Sequence, residues 1–121
     1  MPLSKAARQR RWLWDSTARV QKSSIDFEWD AAKAIANADK YKVTFDQAAT
    51  VFLDALAITV FDAVQSQSEE RWFTLGVDVK GTLLAVAHTH EVTGSARARV
   101  RIISAREATK RERRFYEDEP R

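Results

Sequence analysis

The chain has 121 residues, of which 45% are hydrophobic and 31% charged, and it contains no cysteine. This length fits one globular domain with a modest core, and the lack of cysteine excludes disulfides, thiolate zinc sites and cysteine nucleophiles. No apolar stretch approaches the roughly 20 residues of a membrane span. The basic N-terminal residues are not followed by the apolar run of a signal peptide, so we expect a cytoplasmic protein.

The net charge of +3 conceals two basic segments. Residues 1–24 carry a net charge of +5 and residues 97–114 a net charge of +6, whereas residues 25–96 contain eleven acidic side chains against five basic ones. A surface formed by either basic segment favours a polyanionic partner, because each phosphate neutralised by Arg or Lys releases condensed counterions. We predict a basic N-terminal extension at residues 1–24 and one folded domain at residues 25–121.

Two helices are predicted at the start of this domain. Asp30 can serve as the N-cap of a short helix whose apolar residues recur at helical spacing and which ends near residues 40–43. The sequence Thr44-Phe45-Asp46-Gln47 is typical of a capping box, with Thr44 at the N-cap and Gln47 three residues later. It predicts a second helix directly after the first.

Four strands are predicted next, because β-branched and aromatic residues cluster at 57–61, 71–77, 83–89 and 96–103. Turn-like stretches at 64–68, 78–81 and 91–95 separate them, which indicates an antiparallel meander. Ser104 and Glu107 then have the spacing of another capping box, which predicts a third helix to about Tyr116. The expected fold class is α+β: two N-terminal helices, a four-stranded antiparallel sheet and a C-terminal helix, with helices covering one face of the sheet.

The last predicted strand separates its side chains by polarity. Alternation places Arg97, Arg99 and Arg101 on one face and apolar residues on the other. Three arginines are costly to bury, so this face is either an ordinary solvated surface or a surface that meets phosphate. The pattern alone favours neither.

Several motifs, taken in chain order, resemble the BrnT family of bacterial toxins. The opening motifs are Phe27-Glu28-Trp29-Asp30-Ala31-Ala32-Lys33, Asn37 and Val43-Thr44-Phe45-Asp46-Gln47-Ala48. The later ones are Glu70-Arg71-Trp72, Leu75-Gly76, the run from Leu83 to Thr89, the run from Arg101 to Thr109, and Glu112-Arg113 with Tyr116. Where the family usually has Lys-His-Gly, this chain has Lys40-Tyr41-Lys42, and residues 1–24 have no counterpart in a typical member.

The resemblance implies a RelE-like α+β toxin domain at residues 25–121. It also implies that the protein is an endoribonuclease that needs neither a metal nor a cofactor. This enzyme would halt translation and would be neutralised by a BrnA-type antitoxin. The complex with that antitoxin would bind operator DNA. A second hypothesis stays open: a non-catalytic interaction module that acts as antitoxin partner and co-repressor in operator DNA binding without cutting RNA.

Metal-free RNA cleavage can proceed by attack of the 2′-hydroxyl on its neighbouring phosphate, with a base, an acid and cations that stabilise the developing charge. Arginine suits the last role because its planar fork meets phosphate bidentately and stays charged. The cationic candidates are Arg71, Arg101, Arg106 and Arg111. Two further catalytic candidates are His88, whose ordinary pKa of about 6.5 permits proton exchange, and Tyr116. The structural alternatives are a partly buried, hydrogen-bonded histidine and a packed tyrosine, and for residues of these types they are the more common roles.

Candidate RNA contacts are basic residues outside this set. They are Lys33, Lys40, Arg97 and Arg99, together with Arg111, which we also consider for catalysis. Lys33 and Lys40 share one stripe of the first predicted helix, although such a stripe is often merely solvated. Trp12 and Trp14 in the extension could stack on bases or anchor it. His88 and His90 lack a positioned carboxylate, so no metal site is predicted.

Overall fold

The computed structural model describes residues 24–120. It contains six strands and three α-helices in this order: β1 (Ile25–Glu28), α1 (Ala31–Tyr41), α2 (Phe45–Thr50), a 3-10 helix (Val51–Leu53), β2 (Ile58–Phe61), β3 (Trp72–Val77), β4 (Leu83–His88), β5 (Glu91–Gly94), β6 (Arg97–Glu107) and α3 (Lys110–Asp118). The basic extension that the sequence predicts, including Trp12 and Trp14, lies outside these residues except for Ser24. Within the described part of the chain, no helix has the length and apolar character to cross a membrane.

The strands form one mixed sheet in the order β1-β6-β4-β3-β2, with β5 also paired to β6. The predicted meander is confirmed in β2, β3, β4 and β6, which pair in antiparallel fashion. The prediction of only four strands is wrong. Residues 91–94, predicted as part of a turn, form β5 as a short hairpin with β6, and β1 adds a parallel strand to the other side of β6.

Both predicted N-terminal caps are confirmed. The Asp30 carboxylate accepts a hydrogen bond from the backbone N–H of Lys33 at 2.9 Å. Thr44 and Gln47 form a reciprocal capping box at the start of α2. Each cap satisfies backbone N–H groups that have no partner within the helix.

The predicted start of the third helix is wrong. Ser104 and Glu107 lie in β6, which continues through Glu107 because its backbone pairs with β4. The capping box forms instead at Thr109 and Glu112, and α3 begins at Lys110. The same sequence pattern thus occurs twice, and pairing with β4 decides which copy caps the helix.

The core lies between the sheet and the two N-terminal helices. It contains Phe45, Val51 and Phe52 on the helical side and Val100 and Ile102 on β6. A buried amide joins the two layers: the Asn37 side chain donates to the carbonyl oxygens of Val43 (2.9 Å) and Ala105 (2.8 Å) and accepts from the Ala105 N–H (3.0 Å).

The opposite face of the sheet is only partly open, because α3 packs there beside β3. No residue of α3 is buried. Polar contacts at two points attach the helix: Glu112 to Arg106 of β6, and Tyr116 to Asp54. We call the side of the sheet that carries α3 the outer face.

Candidate functional site

A bulge in β6 determines which arginines share the outer face. Val86 pairs with Ala105, but His88, two residues further along β4, pairs with Ile102, three residues back along β6. The extra residue on β6 leaves Ile103 unpaired and shifts the alternation by one. Arg101 and Arg106 therefore project from the same face.

Arg71 and Arg106 line a cavity of about 260 Å³ on this outer face. The other lining residues are Asp62, Gln65, Phe73, Ala85, Ala87, Ile103 and Ser104. The Arg106 guanidinium lies 5.9 Å from the centre of the Phe73 ring, which is within cation–π range. The Nε atom of Arg71 is buried and has no hydrogen-bond partner within residues 24–120. Among these residues it is a donor without a partner, on a residue that lines the cavity.

Glu69 joins two of the candidate arginines. Its Oε1 atom lies 2.5 Å from Nη2 of Arg101 and 3.6 Å from Nη2 of Arg71. The hydrogen bond from Arg101 lowers the pKa of the Glu69 carboxyl below its ordinary value, because it favours the charged form. Glu69 was not predicted from the sequence, although it lies directly before the Glu70-Arg71-Trp72 motif.

A bidentate ion pair fixes Arg106 at the wall of the cavity. Its Nη1 and Nη2 atoms donate to the two carboxylate oxygens of Glu112 at 2.8 and 3.0 Å. This interaction lowers the pKa of Glu112 and raises that of Arg106. Glu112 also accepts a hydrogen bond from the backbone N–H of Thr109, so the same carboxylate caps α3 and orients the arginine.

The remaining arginines of β6 are paired with carboxylates on the neighbouring strands. Arg97 contacts Asp26 at 2.9 Å, and Arg99 contacts Glu91 at 2.8 Å and Glu28 at 3.7 Å. These side chains are about half exposed, so the pairs exchange readily with other anions. The arginines on the outer face of β6 thus form ion pairs with carboxylates, and their positive charge is partly neutralised.

His88 lies on the opposite face, fully buried beneath Phe52. Its Nδ1–H donates to the Thr89 carbonyl oxygen at 2.7 Å, which leaves Nε2 to accept from the Thr74 hydroxyl at 2.7 Å. The Thr74 hydroxyl in turn contacts that of Thr59. Burial lowers the pKa of His88 to about 3, so the ring is neutral. It does not join the residues around the cavity.

Tyr116 and Arg111 also lie outside the cavity. The Tyr116 hydroxyl donates to the Asp54 carboxylate at 2.5 Å, and the second contact of that carboxylate oxygen, with the Val77 N–H, ties the end of α3 to β3. Arg111 lines a separate, adjacent groove beside Phe115. Neither residue lies among those that line the cavity.

Neither candidate lysine lines the cavity. Lys33 and Lys40 belong to α1, which packs against the core side of β6, and Lys40 lies over the ring of Tyr41 at 5.0 Å.

Burial lowers the pKa of His90 to about 4. Across residues 24–120 no three His, Cys, Asp or Glu side chains form a group that could hold a metal ion.

Comparison with known proteins identifies one family. Residues 29–112 match a family described as the ribonuclease toxin, BrnT, of type II toxin-antitoxin systems. The matched segment contains Glu69, Arg71, Arg101 and Arg106. Among solved structures, the 1.1 Å crystal structure of the Brucella abortus ribonuclease toxin BrnT is similar over 71% of this chain and 99% of that chain, with 18% sequence identity and a TM-score of 0.49. No curated protein matches the chain.

Proposed function

The chain belongs to the BrnT family of ribonuclease toxins of type II toxin-antitoxin systems, and from this premise we propose that it is a metal-independent endoribonuclease that inhibits translation in the cytoplasm. One observation carries the proposal: Glu69 contacts both Arg71 and Arg101. This cluster lies next to the cavity that Arg106 lines. Arg71 and Arg106 line this cavity, and Arg101 contacts the same carboxylate as Arg71. Guanidinium groups arranged in this way suit a phosphodiester whose negative charge increases during reaction.

In the proposed reaction the RNA phosphate takes the position of the Glu69 carboxylate between Arg101 and Arg71. The 2′-hydroxyl attacks this phosphate and loses its proton, the bond to the 5′-oxygen of the next nucleotide breaks, and that oxygen leaves with a proton from water, which gives a 2′,3′-cyclic phosphate. The two arginines stabilise the charge that develops on the phosphate oxygens. The unsatisfied Nε of Arg71 gains a partner in the same step. Arg106, held by Glu112, forms the wall against which the nucleotide is positioned.

Glu69 is the proposed proton acceptor. While Arg101 holds it, its lowered pKa makes it a weak base. Displacement by the phosphate removes that hydrogen bond, so its pKa rises beside the reacting hydroxyl. His88 is buried, neutral and hydrogen-bonded at both nitrogens, and we assign it a structural role. We assign Tyr116, which donates a hydrogen bond to Asp54, the role of anchoring α3.

The proposed RNA path follows the outer face of β6. Arg99 and Arg97 lie along it and exchange their carboxylate partners for phosphates. Lys33 and Lys40 belong to α1, and neither lines the cavity. We leave both outside the proposed path.

The further partners in the proposal are an antitoxin of the BrnA type, which neutralises the toxin, and operator DNA, which the complex binds. Type II toxin families act with a protein antitoxin, so membership of the family supports the first partner. The operator DNA would be contacted through the antitoxin.

The test is cleavage of labelled RNA by the purified full-length protein, with and without EDTA and with and without ribosomes. We expect cleavage that survives EDTA and is lost when the antitoxin is added. No cleavage by folded protein under any of these conditions would contradict the proposal and favour a non-catalytic partner of the antitoxin that acts in operator binding.

A further inference from the structure

A second concave surface lies beside the cavity, between α3 and strands β2 and β3. It has a volume of about 300 Å³ and is lined by Val60, Phe73, Leu75, Phe115, Arg111 and Glu112. We call it the apolar groove. Val60 is 36% exposed and Phe115 46% exposed. Single exposed apolar residues are common on protein surfaces, but a concave cluster of them marks a place where a partner binds.

The edge of the sheet runs along this groove. β2 is the last strand in the sheet order and pairs only with β3 among the described strands. Leu56 before β2 and Val64 after it are 48% and 75% exposed, so the apolar surface continues along the edge. An edge of this kind accepts an extended segment, which adds main-chain hydrogen bonds to β2 and places alternate side chains on the apolar surface.

The charges of α3 indicate the chemistry of that segment. Lys110, Arg111 and Arg114 form no ion pair within residues 24–120, and Glu112 is already bound by Arg106. A partner that brings acidic side chains would complement them.

We propose that the apolar groove and the edge of β2 bind the antitoxin through an extended segment of apolar residues flanked by acidic ones. The inference rests on the proposed function only for the existence of that antitoxin, which membership of a type II toxin family implies. Phe73 lines both the groove and the cavity. A segment seated in the groove therefore stands next to Arg106 and blocks the entry of RNA.

The test measures binding of the full chain to the antitoxin encoded beside it, by calorimetry. Two variants place a negative charge in the groove, Val60→Glu and Arg111→Glu. Two matched controls make the same changes elsewhere: Val79→Glu, at a valine that is 71% exposed in the turn after β3, and Arg113→Glu, at an arginine that pairs with Glu117. We expect Kd to rise about tenfold or more in the groove variants and to change by less than about threefold in the controls.

Several outcomes would overturn the inference. Unchanged antitoxin affinity in both groove variants, in proteins that melt at the wild-type temperature, would place the antitoxin elsewhere. Self-association of the chain that Val60→Glu abolishes would assign the groove to a second copy. RNA cleavage by the free chain is measured in parallel: its absence would contradict the ribonuclease proposal and leave the groove intact, whereas cleavage with unchanged antitoxin binding would contradict the groove alone.

Discussion

Arg101 and Arg106 project from the same face of β6 although five positions separate them. Side chains five apart in a regular strand point to opposite faces. The unpaired Ile103 adds one residue to β6 between the two arginines, so the alternation of side chains shifts by one and both point to the same face. Without this bulge, Arg106 would point into the helical core and not into the cavity. The site therefore depends on a local irregularity of pairing between β4 and β6.

Substitution of Glu69 tests whether its carboxylate occupies a phosphate position. In Glu69→Gln the charge that Arg101 and Arg71 now contact is removed, so we expect a non-cleavable 2′-O-methyl RNA to bind several-fold more tightly. The slope of log K against log salt should steepen by about 0.7, because in the variant the phosphate binds without displacing a carboxylate, whose freed charge in the wild type offsets one neutralised phosphate. Cleavage should nevertheless slow, since the proposed proton acceptor is lost.

The control for this variant is Glu117→Gln, which removes a carboxylate that pairs with Arg113 on α3. It should leave both RNA affinity and cleavage near the wild-type values. Weaker RNA binding by Glu69→Gln would contradict the assignment, because it would show that Glu69 supports the arginines and does not compete with RNA for them.

The neutral state of His88 predicts how stability depends on pH. Its pKa is about 3 in the folded protein and about 6.5 in an unfolded chain. The unfolded state thus takes up the proton first as pH falls. The stability that depends on the neutral ring is complete above pH 6.5 and is lost progressively toward pH 3, with about 2 kcal/mol lost between pH 7 and pH 5.

Urea denaturation at pH 7 and pH 5 measures that loss in a His90→Gln background, because the lowered pKa of His90 would add a loss of its own. NMR titration of the His88 ring locates its pKa independently. We expect the ring resonances of the folded protein to stay constant down to pH 5. A ring that titrates near its ordinary pKa would contradict the structural role and return His88 to the catalytic candidates.

The buried side chain of Asn37 stabilises the packing of α1 against β6, and substitution of this residue measures by how much. Asn37→Ala removes three buried hydrogen bonds, to Val43 and Ala105, and leaves backbone groups without partners. We expect a loss of about 3 kcal/mol in the free energy of unfolding, measured by urea denaturation. In Asn37→Asp the acceptor from the Ala105 N–H is kept and both donors are lost, so this variant should also be strongly destabilised. A loss below about 1 kcal/mol in both variants would show that water replaces the amide.

Two substitutions near the end of α1 should change the free energy of unfolding in opposite directions. Lys42 has φ of 60° and ψ of 30°, the left-handed conformation, which glycine adopts without steric cost. Lys42→Gly should raise the free energy of unfolding by up to about 1 kcal/mol. Lys40→Gly, two residues earlier inside the helix, should lower it by about 1 kcal/mol. Thermal unfolding of the two variants should therefore shift in opposite directions, and shifts of the same sign would contradict the left-handed geometry at Lys42.

Local signals in the sequence predicted those elements that local chemistry determines. The caps at Asp30 and Thr44 and the four predicted strands, which are β2, β3, β4 and β6, depend on neighbouring residues, and all were confirmed. The parallel pairing of β1 with β6 joins residues about 73 positions apart, such as Ile25 and Ala98, and no local pattern reports it. Long-range pairing also overrode the capping signal at Ser104.

The candidate site could be predicted only in part for the same reason. Arg71, Arg101 and Arg106 were found because the chemistry of RNA cleavage calls for arginine and the family motifs contain them. Their partners Glu69 and Glu112 are defined by contacts in space, and carboxylates are too common in this chain to be selected by residue type. His88 looked suitable by its ordinary pKa, and only its burial shows otherwise.

The most direct test of the account compares RNA cleavage by Arg101→Ala with cleavage by Arg113→Ala in EDTA, with Arg101→Lys as a second variant at the site. Arg113 is a matched control because it carries the same charge but does not line the cavity and pairs with Glu117. The account predicts that Arg101→Ala lowers the cleavage rate by about a hundredfold or more, that Arg101→Lys recovers a part of it, and that Arg113→Ala stays within about twofold of wild type. Equal rates in Arg101→Ala and Arg113→Ala, in proteins of unchanged melting temperature, would contradict the claim that the outer face of β6 carries the active site.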